Sequence, residues 1–270
     1  MVKNKKIIIG LIISVCVISA FFILTKTDHK YGKKSNQTDE VKLKFANNLI
    51  SYIIEDKEGM SFNIFGVQNI KDKDSSLVDV VSSIELNNPN IRIVDYQVDT
   101  GIVHKNYKLV NILVTLKPLT NNVETADQLL IQFNNENTET YDIGSITVQN
   151  DMSYQNKHFE PSGQYTVAYP YLGLDINLRN KTDQTISPSK ISDLTKNLSY
   201  QFDRPFEFQP HDKKHIKINT FYKGKKEFDF MTVSPILSYT FDNESYLYNM
   251  PGVVYGILDS DTDKIEKMIK

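Results

Sequence analysis

The stretch YKLVNILVTLKPL, Tyr107 to Leu119, decides the fold class. Val110, Ile112, Val114 and Leu116 fall on one side of an extended chain. Leu109, Asn111, Leu113, Thr115 and Lys117 fall on the other. An apolar residue at every second position, with Thr and Lys between, is the pattern of a half-buried β-strand. The same period appears on both sides of it. Val41, Leu43 and Phe45 alternate, as do Phe62 and Ile64, and Ile91 and Ile93 in IRIVDYQVD. LLIQF (Leu129 to Phe133) and YDIGSITV (Tyr141 to Val148) follow at short spacing. Asn, Asp, Gly and Pro clusters bound these runs and supply the turns.

The period blurs in two places. Leu49 to Ile54 fits a helical repeat, closing a helix that starts near Asp39, about as well as it fits a strand. Ser76 to Ile84 is ambiguous in the same way.

The polar stretch VQNDMSYQNKHFEPSGQ, Val148 to Gln164, has no apolar period and marks a boundary. Beyond it Leu172, Leu174, Ile176 and Leu178 alternate. Phe202, Phe206 and Phe208 mark a strand cut by Pro205, and Ile216 and Ile218 mark another. Lys223-Gly224-Lys225 turns the chain into Phe228, Phe230 and Thr232, then LSYTF and VVYGIL. Ser260 to Lys270 reads as a short helix capped by Ser260 and Asp263, with Ile265, Met268 and Ile269 on one face. Short strands at this spacing predict an all-β protein with two Ig-like β-sandwich domains. Residues 41–150 form the first and 160–258 the second, and 259–270 form a helical tail.

The N-terminus carries a different signal. Lys3, Lys5 and Lys6 precede an uncharged apolar run from Ile7 to Leu24, 18 residues long. That is the lower end of what crosses a bilayer, about 17–25 residues. It is longer than the usual apolar region of a cleaved signal. Cleavage after Ala20 would put Ile18 at the −3 position and leave Phe21 to Leu24 exposed. Residues 7–24 are therefore read as an uncleaved transmembrane anchor, with secretion after cleavage as the alternative. Val15 stands where a lipobox before Cys16 needs a small residue, so Cys16 is read as part of the span. Lys26, Lys30, Lys33 and Lys34 nearly balance the charge count across it. A tail of only six residues (1–6) still favours the N-terminus inside and the bulk extracytoplasmic. Residues 25–40 read as a polar spacer.

Composition excludes several function classes. With 31 Lys+Arg against 33 Asp+Glu, the formal charge of −2 provides no basic footprint for nucleic acid. One Cys cannot make an intrachain disulfide or a Cys-based zinc site. Abundant Lys, Asn, Ile, Tyr and Phe without Trp match the codon bias of an AT-rich genome.

The segments DINLRNKTDQTISPSKI and FEFQPHDKKHIKINTFY resemble the Ig-like extracytoplasmic domains of membrane-anchored proteins from low-GC Gram-positive bacteria. The matching positions are Asn180 and Thr182 at a strand end, Ile186 and Pro188 at its exit, and Pro210 in a later turn. The resemblance covers about the last 100 residues. It implies a fold and an address, not a reaction.

No segment carries a catalytic signature. His211 and His215 have the spacing that binds metal on a helix, but HDKKH follows Pro210 and enters an alternating strand. Asp72, Asp74 and Ser75 suggest calcium, but Leu77 and Ser83 stand where an EF-hand needs Gly and Glu. Asp259, Asp261 and Asp263 begin a similar pattern with Lys264 at its sixth place. His104 and His158 fall in polar stretches. There is no G-x-S-x-G elbow and no Gly-rich phosphate loop. Asn180, Asn197 and Asn243 begin N-x-[ST] patterns, which matter only in a eukaryotic secretory route. No catalytic, cofactor-binding or metal-ligating residue is assigned, and no cofactor is expected. One pair of segments offers a ligand face: YTVAYPYLG (Tyr165, Tyr169, Tyr171) and SYLYNMPGVVYG (Tyr246, Tyr248, Tyr255). Tyrosine suits an interface because it is large and polar-tipped, although ordinary packing would use the same residues.

The expected function is a non-enzymatic binding or structural role in the cell envelope. The expected partners are the membrane, through residues 7–24, and a cell-wall component or membrane protein. Two alternatives stay open. One is an accessory subunit of a transport or secretion complex, with Gly10, Ser14 and Ser19 against a partner helix. The other is an envelope hydrolase using a carboxylate pair.

Overall fold

A computed structural model describes residues 42–70, 76–150, 158–203 and 206–270. The proposed anchor, Cys16, Pro205 and the Asp72–Asp74 pattern lie outside them. Among the described residues no helix is long and apolar enough to cross a membrane.

The first half supplies β1 (Leu43–Phe45), β2 (Asn48–Ile53), β3 (Met60–Asn69), α1 (Leu77–Val80), β4 (Val81–Leu86), β5 (Ile91–His104), β6 (Tyr107–Pro118), β7 (Val123–Phe133) and β8 (Thr138–Gln149). The second supplies β9 (Phe159–Pro161), β10 (Ala168–Tyr169), β11 (Leu174–Asn180), β12 (Ser187–Ser192), β13 (Leu198–Gln201) and β14 (Lys213–Ile218). It continues with β15 (Tyr222–Lys223), β16 (Phe230–Val233), β17 (Ile236–Phe241), β18 (Glu244–Asn249), β19 (Val253–Tyr255) and α2 (Asp261–Ile269). The ambiguous segment at 76–84 resolves into one helical turn followed by a strand.

Strands β1-β3-β6-β5 form one sheet, and β10-β19-β16-β2-β8-β7-β4 form a second. Between the first sheet and the β2-to-β4 part of the second lies the first core. It holds Ile50, Phe62, Ile64, Val110, Ile112, Val114, Leu116 and Ile146 among others. The apolar face read from β6 is thus the buried one. The smaller sheets β14-β11-β9 and β15-β13-β12-β17-β18 enclose the second core with the β16, β19 and β10 end of the long sheet. Strand β11 shows strict alternation, with Leu174, Ile176 and Leu178 buried.

The two cores share one long sheet. The polar stretch near 150–160 separates the two cores in sequence, but residues 40–270 form one compact unit. Strand β2 runs parallel to β8 on one side and parallel to β16 on the other. The long sheet therefore draws strands from both sides of the boundary. With neighbours on both edges and a core on each face, β2 is buried nearly throughout. That explains its ambiguous period, because a strand covered on both faces reads as a continuous apolar run. Gly144, with φ +99°, is required beside it. A Cβ there would lie 2.2 Å from the Asn48 carbonyl oxygen.

The outer side of β3 is also covered. Phe65 and Val67 pack with Leu109, Phe230, Ile265 and Met268, so α2 closes this face. Ser260 caps α2, its Oγ accepting from the Asp263 amide at 3.2 Å. Glu266 accepts from His104 Nε2 at 2.7 Å and pairs with Lys105, tying the helix to the β5–β6 hairpin.

Candidate functional site

Strand β2 carries the chain out of the buried sheet and delivers Tyr52, then Glu55 and Asp56 just past its end. Strand β18 delivers Tyr248 and Asn249, and Met250-Pro251-Gly252 leads into β19. Met60 at the start of β3 and Pro161 at the end of β9 close the sides. These groups line a cleft of about 320 Å³ where the two cores meet. Junctions between packed units are common places for ligand sites.

The floor of the cleft is a polar chain. Asn249 Nδ2 donates to Glu55 Oε1 at 2.8 Å, and the Ser234 hydroxyl donates to Asn249 Oδ1. Ser234 is itself buried, and its amide donates to the Ser51 carbonyl at 2.9 Å. Tyr52 lies against Gly252, where a Cβ would fall 2.4 Å from the Tyr52 hydroxyl and 2.6 Å from Cε2. Only glycine lets that loop approach the ring so closely.

Tyr248 is the unusual member. It is 1% exposed, with its ring 5.5 Å from that of Phe159, and its buried hydroxyl has no hydrogen-bond partner. Buried polar groups normally have one, so an orphan on a residue that lines a cleft is a candidate partner for a ligand group. Burial, then the Glu160 and Glu55 carboxylates, raise its ionisation above the ordinary phenol range. Burial, then Tyr165 and Glu55, push Tyr52 the same way. Both hydroxyls therefore stay neutral at physiological pH. Asp56 Oδ1 accepts from the Glu58 amide at 2.9 Å. The lining holds two carboxylates, and no Lys or Arg is among its described residues.

The Tyr-rich segments divide. Tyr169, Tyr248 and Tyr255 are buried, Tyr165 and Tyr171 are exposed, and Tyr246 lies between. Tyr248 lines the cleft together with Tyr52, and Tyr165 acts electrostatically on both, whereas Tyr255 spends its hydroxyl on the Gly173 carbonyl at 2.7 Å. Tyr52, Glu55 and Asn249 carry no motif that marks them in the sequence.

The remaining polar candidates have other partners. His211 pairs with Asp183 at 2.9 Å and His215 with Asp175 at 2.7 Å, so the two histidines serve separate contacts. His158 bonds the Tyr239 hydroxyl at 2.9 Å, with its ring 4.2 Å from Phe241. Asp259 pairs with Lys267, Asp261 with Lys264 at 3.1 Å, and Asp263 with the Ser260 hydroxyl at 2.8 Å. No group of three or more His, Cys, Asp or Glu that could hold a metal ion occurs among the described residues. Asn180 is buried, and its Nδ2 donates to the carbonyls of Gln184, Gln209 and Phe208 at 2.7, 3.0 and 3.3 Å. Thr182 donates to its Oδ1 at 2.8 Å. The Asn-x-Thr pair is thus a structural tie.

A larger groove, about 540 Å³, opens between the edge strands β4 and β5. Ile84, Leu86, Ile91 and Val94 line it with Glu85, Arg92 and Asp95. It is the open side of the first sandwich. None of the orphaned buried polar atoms lies in its lining.

No protein-family model matches this chain. No curated protein matches it in sequence. Weak structural similarity exists to a Porphyromonas gingivalis W83 protein of unknown function, at 11% identity and a TM-score of 0.26, covering 80% of this chain and 98% of that one. The D0–D1 domain of intimin matches at 9% identity and a TM-score of 0.21, covering 80% and 98%. The fibronectin(III)-like modules of Clostridium thermocellum CbhA match at 9% and 0.19, covering 82% and 97%.

Proposed function

We propose that this chain is a non-enzymatic envelope protein of the Ig-like extracytoplasmic kind. Residues 7–24 hold it in the membrane with the N-terminus inside, and the β body outside binds another envelope component. The uncharged run behind Lys3, Lys5 and Lys6 supports the anchor. The binding role rests on one observation, the orphaned hydroxyl of Tyr248, a residue that lines a cleft built from both cores. Strands and their immediate ends hold Tyr52, Tyr248 and Asn249, which suits a preorganised binding site.

The test is protease treatment of intact cells followed by a carbonate wash of the membranes. The proposal expects the β body to be digested while an N-terminal stub stays in the membrane. Protection on intact cells with cleavage after lysis would overturn the orientation. Release by carbonate would overturn the anchor.

A further inference from the structure

The chemistry of the junction cleft also restricts its ligand. Two carboxylates, Glu55 and Asp56, line it without a basic residue among the described lining. The bond from Asn249 uses one of the two oxygens of Glu55 and holds the carboxylate in place. Glu160, next to Pro161, adds negative charge nearby, partly offset by Arg179 at 3.6 Å. Tyr52, Met60 and Met250 supply aromatic and thioether surface. A neutral phenol can accept a hydrogen bond as well as donate one, and the Tyr248 hydroxyl has neither.

An anion would meet like charge here. A wholly apolar ligand would leave the Tyr248 hydroxyl orphaned and desolvate Glu55, both unfavourable. A primary ammonium brings three N–H donors and a positive charge. Its alkyl stem can lie on the aromatic and thioether groups, and rings near a cation add attraction.

We propose that this cleft binds the head of a primary alkylammonium, with its charge against Glu55 and Asp56, an N–H to the Tyr248 hydroxyl, and its stem against Tyr52 and Met60. The inference rests on the reading of the cleft as a binding site. The same head group occurs on a free amine and on a lysine side chain.

The experiment is calorimetric titration of the full chain, solubilised in a polyoxyethylene detergent. The probes are butylammonium, N-acetyl-lysine methylamide and butan-1-ol. Saturable binding of at least one ammonium, about tenfold or more tighter than butan-1-ol, is expected. Glu55→Gln and Tyr248→Phe should each weaken it about tenfold, whereas Glu85→Gln in the other groove should not. Tyr248→Phe should leave the melting midpoint of the free protein unchanged or raised, because the hydroxyl it removes has no partner. Binding of butylammonium as tight as the lysine amide points to a free amine, and preference for the amide to a peptide lysine; both support the proposal. Equal affinity for the alcohol, no saturation by either ammonium, or unchanged affinity in both cleft variants overturns it. These results leave the membrane address intact, since that stands or falls on protease accessibility alone.

Discussion

Leu49 and Ile50 are neighbours in sequence and lie in different cores. Leu49 belongs to the core that holds Leu174, Tyr248 and Val253, while Ile50 belongs to the one that holds Phe62, Ile112 and Ile146. Both are essentially fully buried. Successive side chains of a strand point to opposite faces, so one strand with a core on each side must divide them in this way. Strand β2 is therefore shared by the two halves, and each half lacks a wall without it.

That sharing predicts coupled stability. Leu49→Ala should cost about 2–5 kcal/mol, and Ile50→Val about 0.5–1.5 kcal/mol. The sharper test is where protection is lost. Hydrogen exchange should speed up in β6, in the first core, as well as in β11, in the second, when only Leu49 is cut back. Loss confined to β11 would show that the two cores open independently.

The contact between Gly252 and Tyr52 predicts a non-additive pair. An alanine at 252 would drive its Cβ into the Tyr52 ring at 2.4–2.6 Å. Gly252→Ala alone should cost about 1–3 kcal/mol by overpacking. In a Tyr52→Ala background the clash is gone, so the same change should cost markedly less. Chemical denaturation of the four proteins in the cycle measures the difference. Equal cost in both backgrounds would mean that the loop does not rest on that ring.

How much of this was legible in the sequence depended on exposure. Strands β6 and β11 alternate because one face is wet or covered by polar contacts, and their buried positions follow directly from the period. Strand β2 gave no clear period because neither face is wet. Its pairing of Asn48 with Phe230 joins residues too far apart for any local pattern to reveal. Ser260 and Asp263 were legible because capping is local. The Asn180 to Pro210 segment carries a resemblance, and Asn180 is the amide that ties turn 180–184 to residues 208–209. At the cleft, Tyr248 stands in a tyrosine-rich segment. Glu55 and Asn249, 194 positions apart, come together only through tertiary structure.

The buried phenols predict an alkaline transition. Burial, then Tyr246, pushes Tyr239 up to about 12, and Tyr248 and Tyr255 lie higher still. Each is raised above the ordinary value of 10.0, so the folded state holds the proton that the unfolded state gives up. The stability linked to these groups is fully present below 10 and is lost as pH rises through the folded values. Ultraviolet titration of the folded protein should show a late fraction of phenolate appearing together with unfolding. Tyr239→Phe should make that fraction smaller. A single smooth titration near 10 would contradict the burial of these rings.

The C-terminal helix predicts the opposite response in acid. Glu266 is held below the ordinary carboxylate value of 4.5, first by its hydrogen bond from Lys105 and then by that from His104. A depressed folded value means that the contact contributes above 4.5 and is lost as pH falls through the folded value. The contact joins α2 to the β5–β6 hairpin, while Ile265 and Met268 bury the other face of the helix. Acid should therefore loosen α2 before the two large cores, since the apolar contact left to it is small. The Met268 methyl resonance, followed between pH 6 and pH 3, should shift toward its exposed position while the signals of Ile112 and Leu178 hold. Glu266→Gln should remove most of that pH dependence and leave the helix less firmly docked at neutral pH. The contribution is modest because Glu266 is partly exposed and salt screens it. Added salt should accordingly weaken docking in the parent chain and have little effect in the variant. A Met268 signal that moves only with the core signals would show that α2 and the cores unfold as one.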